Sequence, residues 1–198
     1  TFVMGFSDIL MLGIWQEDIT VGIYGTVVKV ASVSTMFLVV ANTLVSPKIA
    51  VFYKNGKLHE LRQLVKYSTI FMVSIATVFL LIFEFFGIYI LNVFGPEFVD
   101  GELTLMIYAI GQFFVLATGP VAVVLMMTGK EKFHRNTVLF SLLLNIILNY
   151  LLIPKYGPIG AAIATSISLT LKNIIAANHV KQRFFTNKHN SQNIQREF

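Results

Sequence analysis

Four charged side chains stand inside runs that are otherwise apolar. They are Asp8 in "FVMGFSDILMLGIW", Lys29 in "VGIYGTVVKVASVSTMFLVV", Glu84 in "LIFEFFGIY" and Lys172 in "ISLTLKNIIAA". A charge at the centre of a membrane helix costs about 2.5–3.5 kcal/mol on insertion scales. Each must therefore reach water, pair with an opposite charge, or wait for a ligand of opposite sign. A second pattern is uncharged. Thr137, Ser141, Asn145 and Asn149 recur every four residues and so share one helical face. Thr165, Ser168 and Lys172 share a face further on, and Gln112 and Thr118 mark another run. Amides and hydroxyls at such depth either hold helices together, at about 0.6 kcal/mol per contact, or line a wet cavity.

No constellation for bond-making chemistry accompanies them. His59, His134, His179 and His189 have no metal-ligand spacing, and cysteine is absent. There is no glycine-rich phosphate loop, no H-E-x-x-H and no nucleophile elbow. The sequence therefore implies neither an enzyme nor a cofactor.

The elements that must carry these residues follow from composition. The chain is 56% hydrophobic and 13% charged, where soluble domains carry about 25% charged residues. That is the composition of a polytopic, all-α membrane protein. The net charge of +5 is split into separate clusters between apolar runs, so nucleic acid is not expected as a partner. Six apolar segments can be read, at 1–15, 21–46, 67–94, 103–128, 137–154 and 158–180, followed by a polar tail at 185–198. The first is shorter than the roughly 20 residues a span needs. It is expected to be a helix cut at its start, with the chain forming the C-terminal part of a longer protein. Pro120 is expected to kink the fourth segment.

The connections alternate in charge. "QEDIT" and "GPEFVDGE" carry acids and no base, whereas "SPKIAVFYKNGKLHELRQLVKY", "GKEKFHRN" and the stretch from Lys181 to the end carry 12 of the 15 basic residues. The positive-inside rule places the basic end, and both ends of the chain, in the cytoplasm. Asn55-Gly56 signals a turn, and Leu58, Leu61 and Val65 give an amphipathic helix running into the third segment.

At 1.5 Å per residue, Asp8, Lys29 and Glu84 lie about 10, 12 and 15 Å below the outer ends of their segments. Lys172 lies about 20 Å from the outer end of its own. Lys172 is near enough to the inner surface to snorkel. Lys29 shares its face with Gly22, Gly25 and Ser32, small residues that suit close helix packing. Asp8 is a candidate counter-ion for it. Glu84 is either a proton carrier or a neutral hydrogen-bonding group. Polar groups on five or six helices point to a shared internal vestibule.

Several stretches resemble a known family. "SDILMLGIWQEDITVGIYGTVVKVAS" is similar to the seventh and eighth helices of bacterial polysaccharide-biosynthesis flippases. "LIPKYGPIGAAIATSIS" resembles their later hinge, and "SPKIAVFYKNGKLHEL" their connection after the eighth helix. The resemblance runs to about residue 184. It implies membership of the superfamily of multidrug and toxin extrusion transporters and lipid II flippases. Residues 1–184 would then be one six-helix lobe of a two-lobed transporter of twelve or more helices, the N-terminal lobe lying upstream.

The implied function is moving undecaprenyl-pyrophosphate-linked oligosaccharide (as for O-antigen) across the bacterial cytoplasmic membrane by alternating access, among membrane lipids. On that reading Lys29 and Lys172 attract the diphosphate, and Gln112, Asn145 and Asn149 meet the glycan. Asp8 and Glu84 balance charge or carry a coupling proton. The alternative is a cation-coupled drug or toxin antiporter, whose working groups would be the acids.

Overall fold

In the computed structural model, residues 2–186 are described, and every regular element among them is helical. The order is α1 (Phe2–Trp15), α2 (Asp18–Lys54), α3 (Leu58–Asn92), a 3-10 turn (Pro96–Gly101), α4 (Glu102–Ala117), α5 (Val121–Met127) and α6 (Glu131–Lys181), closed by a π turn (Gln182–Thr186). Of the tail, residues 187–198 lie outside the described residues, as does His189.

Four stretches are long and apolar enough to cross a membrane: Asp18–Lys54, Leu58–Asn92, Pro96–Ala117 and Glu131–Phe185. α1, with 14 residues, is a shorter apolar helix. Phe6, Leu10 and Ile14 on α1, Met36, Val40 and Leu44 on α2, and Phe85, Phe86 and Tyr89 on α3 are all exposed. So much apolar surface is stable only against lipid or another protein body. The chain is a multi-pass membrane protein.

α6 is two helical arms, residues 131–156 and 158–181, folded back at Gly157. Ser141 Oγ donates to the Ser168 carbonyl at 2.6 Å, and Asn145 Nδ2 donates to Thr165 Oγ1 at 2.8 Å. Both pairs have the same antiparallel register. The reversal has a local cause in "PKYGP". Pro158 drives the residue before it out of the helical region. Gly157 takes φ 54 and ψ −131, which a side chain would strain. The arms then touch closely, for a Cβ at Gly160 would come within 2.5 Å of the Leu152 carbonyl.

The expected kink at Pro120 is a full break. Gly119 adopts φ 64 and leaves no room for a Cβ against Thr69 of α3, so the fourth segment divides into α4 and α5. α2 runs on through Pro47 to Lys54, further than the sequence indicated. The amphipathic stretch from Leu58 is the first part of α3, and Gly56, at φ 67, makes the turn between them.

Two ends can be told apart by packing. At the acidic end, Gly101 lies against Ile23 and Val27, and Gly157 lies against Gln16. At the basic end, Ile49, Leu61, Val65, Val121, Val180 and Phe184 form one core cluster. A second cluster, with Leu12, Tyr24, Val27, Leu105, Tyr108 and Ile153, fills the half towards the acidic end. The most deeply enclosed polar residues lie beside it.

Candidate functional site

α1 buries one stripe, Met4, Asp8 and Leu12, each within 2% of full burial. Four-residue spacing places all three towards the rest of the bundle, so the aspartate faces the core. It is met there from three directions. Tyr24 Oη, from α2, donates to Asp8 Oδ2 at 2.9 Å, and Thr165 Oγ1, from the second arm of α6, donates to the same oxygen at 2.6 Å. Asn149 Nδ2 and Asn145 Nδ2, from the first arm, donate to Asp8 Oδ1 at 2.6 and 3.2 Å. The donors are themselves linked. Asn145 donates its other hydrogen to Thr165 Oγ1, and Asn149 donates to Asn145 Oδ1 at 3.3 Å.

Asp8, Asn145 and Asn149 have no solvent exposure in this bundle, and Thr165 has 1%. Two oxygens with four donors is the full accepting capacity of a carboxylate. Hydrogen bonds to a charged group contribute about 1.5–3 kcal/mol each. Four of them offset a desolvation penalty of several kcal/mol. The result ties α1, α2 and both arms of α6 to one acid. Any change in its charge is felt by all of them.

The chemistry available here is exchange of a proton or a small hard cation. The atoms that meet the carboxylate are two hydroxyl oxygens and two amide nitrogens, and Asn149 Oδ1 is enclosed with no hydrogen-bond partner. A small cation would enter only with the two amides turned to present their oxygens, and a single carboxylate then suits a singly charged ion better than calcium or magnesium. Among the described residues, no group of three or more His, Cys, Asp or Glu could hold a metal.

The other residues singled out in the sequence do not converge on this point. Lys29 is exposed on α2 and Glu84 is exposed on α3. Lys29 is therefore not neutralised by Asp8, whose oxygens are filled by uncharged donors. A Cβ at Gly22 or Gly25 would meet nothing within 4 Å, so the small-residue face around Lys29 is unused by this bundle. Gln112, 2% exposed, lies on α4 and hydrogen-bonds the Tyr108 hydroxyl. The Tyr108 ring in turn stands edge-on to Tyr24, 6.5 Å away. Gln112 Oε1 is enclosed without a partner. It borders a cavity of about 10 Å³ shared with Ser34 and Phe83, near the smallest volume that admits one water. Lys172 is half-buried on the second arm of α6.

The vestibule expected among these helices is thus not enclosed within them. Most of the polar stripe is spent on internal bonds. Asn145 and Asn149, expected to meet a glycan, point their amide hydrogens at Asp8. Tyr24 was missed as a member of the site. Its signal was its place in "VGIYG", on the side of α2 that also carries the buried Val27 and Ala31.

Comparison with known proteins gives this arrangement a setting. The sequence matches the MatE family over residues 1–151. The chain belongs to the MatE family. Members of this family are transporters rather than enzymes. It is 28% identical over 150 residues to the capsular polysaccharide biosynthesis protein CapF of Staphylococcus aureus, covering 75% of this chain and 38% of CapF. It is 23% identical over 185 residues to the probable low-salt glycan biosynthesis flippase Agl15 of Haloferax volcanii, covering 90% of this chain and 38% of Agl15. An uncharacterized membrane protein of Methanocaldococcus jannaschii, MJ1375, is 30% identical over 177 residues, covering 87% of this chain and 40% of the relative. The chain spans about two fifths of the length of these relatives. No solved structure matches it.

Proposed function

We propose that this MatE-family chain is one lobe of a two-lobed flippase of twelve or more helices. The transporter moves undecaprenyl-pyrophosphate-linked oligosaccharide from the cytoplasmic to the outer leaflet of a bacterial cytoplasmic membrane. The basic end faces the cytoplasm in this reading, which the distribution of lysine and arginine supports. The names of two relatives, a capsular polysaccharide protein and a glycan biosynthesis flippase, support a lipid-linked saccharide as cargo. So does the exposed Lys29 on a small-residue face that no helix of this lobe covers. That face turns to the second lobe, and the central cleft forms between the lobes. Lys29 meets the diphosphate there, while the prenyl tail stays in lipid.

The observation that carries this reading is the Asp8 cluster. A transporter needs one group whose charge state changes how helices pack, and Asp8 is bonded to three other helical segments at once. In this reading Asp8 is the coupling group, and binding a proton or a small cation there loosens or tightens the α6 hairpin against α1. Asn145 and Asn149 serve by holding Asp8, Gln112 borders the cleft, and Glu84 balances charge on α3.

A cation-coupled drug or toxin antiporter is the second reading. It is favoured by the fact that the enclosed, fully partnered charge is an acid, whereas Lys29 lies on the surface. Export of lipid-linked oligosaccharide and extrusion of cationic dyes, measured in cells making the intact protein, separate the two. The flippase reading expects Lys29→Met to abolish saccharide export with normal membrane insertion and no dye phenotype. Dye extrusion lost with Asp8→Asn and saccharide export untouched by either change would replace it with the antiporter.

A further inference from the structure

The seam between α2, α3 and α4 encloses two polar side chains that the Asp8 cluster does not use. Gln112 on α4 is 2% exposed, and its Oε1 has no hydrogen-bond partner. The bond between Gln112 and the Tyr108 hydroxyl is therefore made by the amide nitrogen, which donates to the phenolic oxygen. Turning the amide over would only strand the nitrogen instead, because an amide has donors at one end and an acceptor at the other. Ser34, 3% exposed on α2, gives its hydrogen to the Ala31 carbonyl at 2.7 Å. Its oxygen is left with accepting capacity alone.

Both residues line the cavity of about 10 Å³, whose other walls include Phe79, Phe83, Ala109 and Leu116. That volume is near the least that holds a water, and a buried water needs at least two polar partners. A water carries two hydrogens, and the cavity offers two oxygens that lack one. Two neutral oxygens without a carboxylate are too few for calcium or magnesium, which take about six or more ligands. The volume leaves no room for an organic ligand. Cavities stay dry where every wall is apolar. Here a dry cavity would leave the amide oxygen without the hydrogen bond it makes in water, a state that costs free energy.

We infer that this cavity binds one ordered water, which donates to Gln112 Oε1 and to Ser34 Oγ and so bridges α4 to α2. The bridge fixes the Gln112 amide against Tyr108. Tyr108 stands edge-on to Tyr24, the residue that donates to Asp8, and the Asp8 charge acts on Tyr108. The water thus braces, from α4, the aromatic wall behind the Asp8 cluster. Neither the cargo nor a coupling role for Asp8 enters this inference.

The test is X-ray radiolytic labelling of the intact full-length protein in nanodiscs, in which radicals made from a bound water oxidise the side chains beside it. Leu116 borders the cavity and Leu105, on the same helix, does not, while both are fully buried. Leu116 should be labelled several-fold faster than Leu105 in wild type, and the difference should vanish in Gln112→Leu. A double-mutant cycle of Ser34→Ala and Gln112→Leu, read by reversible unfolding, gives a second measure. Gln112 Oε1 takes no bond from Ser34, so a coupling of about twofold or more in the folding equilibrium reports the water between them. Equally slow labelling of the two leucines in wild type, a difference that persists in Gln112→Leu, or additive effects in the cycle overturns the inference. The wild-type labelling decides the matter alone if either variant does not assemble.

Discussion

The two ends of the α6 hairpin treat a lone charge in opposite ways. Around Asp8, four neutral donors from α2 and both arms of α6 fill every accepting site of the carboxylate. Around Lys172, two to three turns away along the same seam, no acceptor is found among the described residues, and the enclosed Nδ1 of His134 on the facing arm makes no hydrogen bond. A saturated charge is cheap to keep and costly to disturb, because each donor loses its partner at once. An unpartnered one is costly to keep unless something outside the chain completes it. The first arrangement holds its charge within the fold, and the second leaves its charge without a partner.

The sharpest break in this contrast is Asp8→Ala. It would leave the Tyr24 and Thr165 hydroxyls and one amide hydrogen on each of Asn145 and Asn149 without an acceptor, at about 1–3 kcal/mol each. The intact protein should reach the membrane at much reduced level, or unfold far earlier in a thermal scan. Thr165→Val comes next. It removes one donor to Asp8 and the acceptor of Asn145, so a loss of about 2–4 kcal/mol is expected. Tyr24→Phe, which removes a donor alone, should cost less. A double-mutant cycle between Thr165 and Asn145 should show coupling above about 0.5 kcal/mol.

Lys172→Met should go the other way, since it removes the desolvation cost of a half-buried, unpartnered ammonium and should raise the unfolding midpoint. Thermal unfolding reads this directly, and a lower midpoint would mean that Lys172 has a partner in the fold. The smallest effect is expected at Gln112→Leu. There an unpaired Oε1 is lost together with a bond to Tyr108, and stability should change by about 1 kcal/mol or less.

Much of this architecture was legible in the sequence, and the parts that were not share a cause. Apolar run lengths gave the helices, Asn55-Gly56 gave the turn before α3, and "PKYGP" marked the reversal in α6. Loop charges separated the two ends. The four-residue repeat of Thr137, Ser141, Asn145 and Asn149 correctly indicated one inward face. Its partner was hidden, because Asn145 and Asp8 are 137 residues apart, and helical periodicity says which side is buried without saying against what. The same limit paired Asp8 with Lys29 by depth alone. Two helices at equal depth can still turn their charges in different directions, and α2 turns Tyr24 inward and Lys29 outward. Small residues around Lys29 suggested a protein contact, which this lobe does not supply.

The most direct test of Asp8 as the coupling group is hydrogen–deuterium exchange on the intact protein, comparing low with high proton concentration and absence with presence of sodium. Wild type should change protection in α1 and both arms of α6 in response to at least one of these ions, and the Asp8→Asn protein should not respond. Equal responses in the two proteins would contradict the account.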